Sequence, residues 1–129
     1  THTGVHPSLL SGHCIQGILG GCTVLDRFID SGGGIDPSRI RAVQQYMVDW
    51  GDRRVFAGVH YMTDNIASWT LARRLIPHLF KHPQQVEDLA VQAITRQSRV
   101  FSDIVQHFDP DSPARTMLLD YFPEAVPSS

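Results

Sequence analysis

The sequence is poor in lysine and in long apolar runs, and each shortage excludes a class of protein. Lys81 is the only lysine among eleven basic residues, and the net charge is −2. Such a chain lacks the basic surface that nucleic-acid binding requires, so we expect no nucleic-acid partner. The longest apolar run, residues 14–25, contains Gln16, Thr23 and three glycines, whereas a membrane span needs about 20 predominantly apolar residues. We therefore expect a soluble protein without a membrane span.

Cysteine is scarce, and its spacing excludes a disulfide framework. Cys14 and Cys22 lie on one predicted helix, where a rise of about 1.5 Å per residue separates them by roughly 12 Å. A disulfide needs its two α-carbons much closer together than this. We predict two buried thiols. The compartment is unknown from the sequence, and a secreted or periplasmic location stays open.

Apolar residues recur at helical spacing along the chain, and no segment alternates apolar and polar residues as a strand does. The fold class predicted from this pattern is all-α. Gly51-Asp52 is predicted to end the second helix, and Trp50 and Trp69 are predicted to lie in the core. The predicted helices span about 11–29, 37–50, 60–80, 83–108 and 113–121, with a loop over 52–59.

The length of 129 residues suits a single helical domain, or the C-terminal part of a larger one. The chain starts at Thr1 without a methionine or a signal peptide, which predicts a processed protein or a fragment. The site-bearing region is taken as residues 5–76, the extent of the family resemblance described below, and C-terminal helices follow over 84–129.

Arg54, His60 and Asp64 form a regularly spaced set. Five residues separate the arginine from the histidine, and three separate the histidine from the aspartate. Positions i and i+4 of a helix share a face, so the Asp64 carboxylate can reach the His60 imidazole. A carboxylate bonded to Nδ1–H leaves Nε2 as a nucleophile or a ligand. Arg54, on the predicted loop, can hold two oxygens of an oxyanion.

Ser11-Gly12-His13 lies at the predicted start of the first helix. The unpaired amides and the dipole of a helix N-terminus favour an anion, and Ser11 adds a hydroxyl donor. Gly12 allows the backbone to approach the anion closely, and His13 is then placed as a general acid. Each block alone also has a structural reading, as a surface ion pair or as a helix cap.

Taken together, the two blocks resemble the second and third signature motifs of the type 2 phosphatidic acid phosphatase / vanadium haloperoxidase superfamily. The second motif reads Pro-Ser-Gly-His, where this chain has Leu10-Ser11-Gly12-His13. The third reads Ser-Arg, five residues, His, three residues, Asp, where this chain has Arg53-Arg54, His60 and Asp64 at the same spacing.

The superfamily's first motif, Lys, six residues, Arg-Pro, does not occur in the 129 residues. The single lysine is followed by His82-Pro83 and does not match it. The resemblance therefore implies a helical bundle of the superfamily type, of which this chain is the C-terminal half. It also implies that a missing N-terminal segment, or another chain, carries the first motif.

The resemblance implies a phosphoric-ester hydrolase, similar to acid phosphatases, that acts through a phosphohistidine and needs no cofactor. His60 would be the nucleophile, Asp64 its orienting group and His13 the acid–base group. Arg54, Ser11 and Gly12 would bind the oxygens of a small-molecule phosphoester.

Two alternatives stay open. The run Gly58-Val59-His60-Tyr61 is similar to Gly-Val-His-Trp in vanadium haloperoxidases. In such an enzyme His60 would be the metal ligand, with vanadate as the cofactor and peroxide and a halide as substrates. The second alternative is a non-catalytic helical fragment that needs the missing N-terminal half. A homo-oligomer is compatible with each of these hypotheses.

Overall fold

The computed structural model describes residues 12–32, 36–56 and 62–125, and all regular structure in these ranges is helical. The prediction of an all-α fold is confirmed, and the chain forms a bundle of helices around a shared apolar core. A short 3-10 turn, Pro123–Ala125, follows the last helix. The helices are α1 (Gly12–Asp30), α2 (Pro37–Phe56), α3 (Met62–Leu79), α4 (Pro83–Gln97), α5 (Arg99–His107) and α6 (Pro113–Tyr121).

Local sequence explains where several helices begin. The Asp36 carboxylate accepts hydrogen bonds from the backbone N–H and the hydroxyl of Ser38, at 3.0 and 2.8 Å, and Pro37 occupies the first helical position of α2. A carboxylate cap followed by proline is a strong helix-start signal, because the proline has no N–H to satisfy. Ser112 caps α6 in the same way by accepting from the Arg115 N–H.

Two glycines of α1 allow it to lie close against α2. A β-carbon at Gly17 would come within 2.9 Å of the Met47 carbonyl oxygen, and one at Gly21 would overlap the Met47 side chain. The two helices therefore approach each other closely at these two positions. Gly20 has nothing within 4 Å of its β-carbon position and takes no part in it.

The core contains an aromatic cluster formed by α3, α5 and the segment after α6. Trp69 is 1% exposed, as predicted, and its ring lies 6.0 Å from Phe101 and 6.3 Å from Phe122. The prediction that Trp50 lies in the core is wrong, because Trp50 is 40% exposed and meets Tyr46 edge-on at the surface.

Two predicted helix boundaries are also wrong, and one tertiary contact explains both. Helix α2 does not end at Gly51-Asp52 but continues through the predicted loop to Phe56. The helix predicted over 83–108 is divided at Ser98, whose backbone is extended. The buried Asp52 carboxylate accepts from the Ser98 hydroxyl and the Arg99 N–H, both at 2.7 Å. The Ser98 hydroxyl caps α5 by accepting from the Phe101 N–H, and the helical Asp52 holds this capping residue in place.

Side chains of α1 and α3 fix the C-terminal helices to the bundle. The Asp26 carboxylate accepts from the N–H groups of Lys81 and His82 just before α4. Arg73 of α3 forms ion pairs with Glu87 and Glu124. Both predicted thiols, Cys14 and Cys22, are buried. Among the helices described, none is long and apolar enough to cross a membrane.

Candidate functional site

Three helix ends meet at one side of the bundle, which we call the helix-end junction: the first turn of α1, the last turns of α2 and the first turns of α3. A β-carbon at Gly51 would lie 2.8 Å from the Cys14 sulfur and 3.1 Å from Asn65 Nδ2. Helices α1 and α2 run antiparallel, because Gly51 lies against Cys14 while Met47 lies against Gly17 and Gly21. Among the predicted site residues that the structure describes, Gly12, His13, Arg54 and Asp64 belong to these helix ends.

Some of the predicted site residues belong to the part of the chain that the structure describes, and others do not. Ser11 and His60 lie outside the described residues. Gly12 starts α1, and His13 follows it in the first turn. Arg54 lies in the last turn of α2, so its predicted position on a loop is wrong. The backbone of the arginine is thereby fixed by a helix rather than carried by an irregular segment.

Asp64 is the predicted site residue whose side chain the structure describes. It is the third residue of α3 and is 8% exposed. A carboxylate in the first turn of a helix is stabilised by the helix dipole. Carboxylates are rarely this buried unless a polar or charged group accompanies them. This position suits a group that orients a neighbouring side chain better than it suits a solvated surface ion pair.

Two buried polar side chains that the sequence interpretation missed follow Asp64 on α3. Asn65 and Ser68 of α3 are both fully buried, and Ser68 hydrogen-bonds the Cys14 thiol of α1. Asn65 shares the buried face of α3 with Trp69 and Ile76, at spacings of four and eleven residues. A polar residue on an otherwise apolar helix stripe is a recognisable signal, and it marks Asn65 from the sequence alone.

Burial shifts the pKa values of two acidic groups at the junction, Cys14 and Asp52, and the shifts indicate their roles. Burial raises the pKa of Cys14 to about 12, so its thiol stays protonated and is not a nucleophile. Burial also raises the pKa of Asp52, against the hydrogen bonds that it accepts from Ser98 and Arg99. These bonds direct the Asp52 carboxylate towards α5, so its role is structural: it joins α2 to the start of α5.

Charges of both signs meet at the junction. The N-termini of α1 and α3 bring partial positive charge to it, and the C-terminus of α2 brings partial negative charge. The last turn of α2 carries Arg54 and the exposed Arg53, which pairs with Asp49, while Asp52 and Asp64 are buried carboxylates. Helix N-termini accompanied by arginine are the kind of group that can hold a tetrahedral oxyanion.

Comparisons of this chain with family models, curated proteins and solved structures found no match. The motif spacing and the helix-end geometry therefore have to support any functional assignment by themselves.

Proposed function

We propose that this protein is a phosphoric-ester hydrolase whose oxyanion site is the helix-end junction. One observation supports this most directly. The block with Gly12-His13 lies far from the block with Arg54 and Asp64 in the sequence, yet their neighbours along the chain, Cys14, Gly51 and Asn65, lie against one another. Helix caps and surface ion pairs have no need to converge, whereas a site built from several segments does.

The proposed reaction has two steps. His60 Nε2 attacks phosphorus as the P–O bond to the alcohol breaks, and His13 donates its proton to the departing alkoxide oxygen. His13 then accepts a proton from water as that water attacks phosphorus, and the P–N bond breaks to release phosphate and neutral His60. The Asp64 carboxylate stabilises the positive imidazole in both steps.

Binding of the substrate oxygens is assigned to Arg54, the Ser11 hydroxyl and the Gly12 N–H. Preorganised donors of this kind are most effective where water is excluded. The superfamily that the motifs resemble has a further lysine and arginine, and no matching motif occurs in these 129 residues. We therefore propose that an additional segment or a second chain contributes those cations.

Hydrolysis of a chromogenic phosphate monoester, with and without vanadate, tests the proposal. We expect vanadate to inhibit, because it mimics the five-coordinate transition state. We expect His60→Ala to abolish turnover and the acid-labile phosphoenzyme together, and His13→Ala to slow turnover by about 10²–10⁴-fold, as loss of a general acid does. His107→Ala is the matched control, since His107 is an exposed histidine at the end of α5.

A vanadium haloperoxidase is the second candidate, favoured by the run Gly58-Val59-His60-Tyr61. Phosphate and vanadate are both tetrahedral oxyanions, so helix N-termini that favour one also favour the other. Bound vanadate would supply activation of peroxide for halide oxidation. Bromination of a phenol dye that requires both vanadate and peroxide would support the haloperoxidase rather than the phosphatase. If the full protein shows neither activity, the non-catalytic alternative is supported.

A further inference from the structure

A groove between α2 and α4 has basic and amide side chains along it and no acidic one. It has a volume of about 680 Å³ and lies between the first half of α2 and the last turns of α4. We call it the polar groove, and its polar side chains include Ser38, Arg41, Gln45, Gln92, Arg96 and Gln97. In a chain whose net charge is −2, two cations without a carboxylate form a local concentration of positive charge.

The helix termini at the polar groove do not determine the sign of its charge. The N-terminus of α2 contributes partial positive charge, and the C-terminus of α4 contributes partial negative charge. Because these two contributions oppose each other, the arginine side chains decide which ligands the groove attracts.

The two arginines of the polar groove are not engaged in ion pairs. All 13 acidic residues of the chain lie within the described ranges, and none of them forms an ion pair with Arg41 or Arg96. Asp36 acts on Arg41 only at longer range, and its carboxylate already caps α2. Glu124 lines a second hollow that Arg96 borders, but it is paired with Arg73. Both guanidinium groups are therefore available to a ligand.

Hydrogen bonds between α2 and α4 hold the walls of the polar groove in place. The buried Gln44 amide donates from Nε2 to the Leu89 carbonyl oxygen at 2.9 Å, and its Oε1 accepts from Gln97 Nε2 at 3.2 Å. The half-buried Gln92, in contrast, makes no hydrogen bond within the described ranges. Its carboxamide offers a donor and an acceptor side by side, as a peptide group requires.

The exposure of the polar groove favours an extended chain over a small molecule. Ser38, Arg41, Gln45 and Arg96 are all exposed, so the groove is open to solvent on its outer side. Small-molecule sites bury most of the ligand and are lined mainly by apolar groups. Arginine binds carboxylates through paired N–H groups. The lining therefore fits a peptide with acidic side chains.

We propose that the polar groove binds an extended peptide segment of a partner protein, and that this segment carries at least two acidic side chains. Arg41 and Arg96 pair with the carboxylates, and the Gln92 amide pairs with the peptide backbone. None of the groove residues belongs to the proposed oxyanion site, so this inference and the proposed function are tested separately.

Fluorescence anisotropy with a labelled octapeptide that alternates glutamate and alanine tests the assignment. We expect Arg41→Gln and Arg96→Gln each to bind this peptide about two- to fivefold more weakly than wild type, as the loss of one exposed ion pair does. Arg74→Gln is the matched control, because Arg74 is an exposed arginine of α3 that does not line the groove. It removes the same charge and should bind as wild type does.

Gln92→Ala separates recognition of the peptide backbone from attraction between charges. It leaves the net charge unchanged and should weaken binding by about two- to tenfold, as the loss of a hydrogen bond does. Thermal denaturation without peptide should give the same midpoint for wild type, Arg41→Gln and Arg96→Gln, because neither arginine forms an ion pair within the described ranges.

Three sets of results would overturn the proposal. The first is unchanged binding in both groove arginine variants, or an equal loss in Arg74→Gln, which would indicate attraction by the net charge alone. The second is no binding of the acidic peptide by wild type, or equal binding of a peptide that alternates glutamine and alanine. The third is displacement of the peptide by succinate at a comparable concentration, which would mean that the groove takes a small dicarboxylate.

Discussion

Replacing Gly51 by alanine tests whether the helix-end junction is as closely packed as the structure has it. The added β-carbon would lie 2.8 Å from the Cys14 sulfur, 3.1 Å from Asn65 Nδ2 and 3.2 Å from the Cys14 β-carbon. Cys14 and Asn65 are both buried, and the Cys14 thiol is hydrogen-bonded to Ser68. Neither group can therefore move aside without disturbing another contact.

The magnitude follows from two opposing effects. Alanine is favoured over glycine inside a helix by up to about 1 kcal/mol. Overpacking a well-packed core costs typically about 1–3 kcal/mol. We expect Gly51→Ala to lower the free energy of unfolding by about 1 kcal/mol. Because Cys14 follows His13 directly, the same substitution should shift the first turn of α1 and weaken oxyanion binding.

Equilibrium urea denaturation measures the effect, and Gly20→Ala is its control. Gly20 lies within α1, where an added β-carbon has nothing within 4 Å, so this variant should gain stability, by up to about 1 kcal/mol. If Gly51→Ala is as stable as Gly20→Ala, the three helix ends do not approach each other as closely as described, and the junction loses its structural basis.

Three further predictions concern the rest of the fold. Trp69→Ala should lower the free energy of unfolding in urea by about 3–5 kcal/mol, and the exposed Trp50→Ala by about 1 kcal/mol or less. Asp52→Ala removes the acceptor of two hydrogen bonds at the start of α5, so calorimetry should show a loss of about 2 kcal/mol. Arg73 lowers the pKa of Glu124 below its ordinary value of 4.5, so this pair stabilises the fold above that pH and the contribution disappears as the pH falls below it. Stability measured against pH should therefore fall less between pH 5 and about pH 3 in Arg73→Leu than in wild type, and an equal slope would contradict the assignment.

Local chemistry explains which helices could be predicted. Helix α6 has the predicted bounds because a serine followed by a proline starts it, and both signals lie within a few residues of its first turn. The start of α5 also has a local signal, since the Ser98 hydroxyl accepts from the Phe101 N–H, but the sequence interpretation passed over it. The contact that uses Asp52 within α2 could not be read in this way, because its partner Ser98 is 46 residues away in the sequence. A glycine followed by an aspartate often marks a helix end. Here the aspartate stays within the helix and hydrogen-bonds a residue that is distant in the sequence.

The candidate site, like the helix boundaries, could be predicted from the sequence only in part. Motif spacing picked out Asp64, and its burial in the first turn of α3 depends on the arrival of other elements. The sequence interpretation passed over Asn65 because no motif contains it. Its place on the stripe of Trp69 was visible, but its unpaired state is a property of the three-dimensional fold.

The most direct test of the oxyanion site is a calorimetric titration of the protein with vanadate, compared between wild type, His60→Ala and His107→Ala. We expect one vanadate to bind each chain, with at least 10-fold weaker binding in His60→Ala and unchanged binding in His107→Ala, which alters an exposed histidine of α5. Vanadate binding that survives the loss of His60, or no binding by wild type, would contradict the assignment of an oxyanion site to this junction.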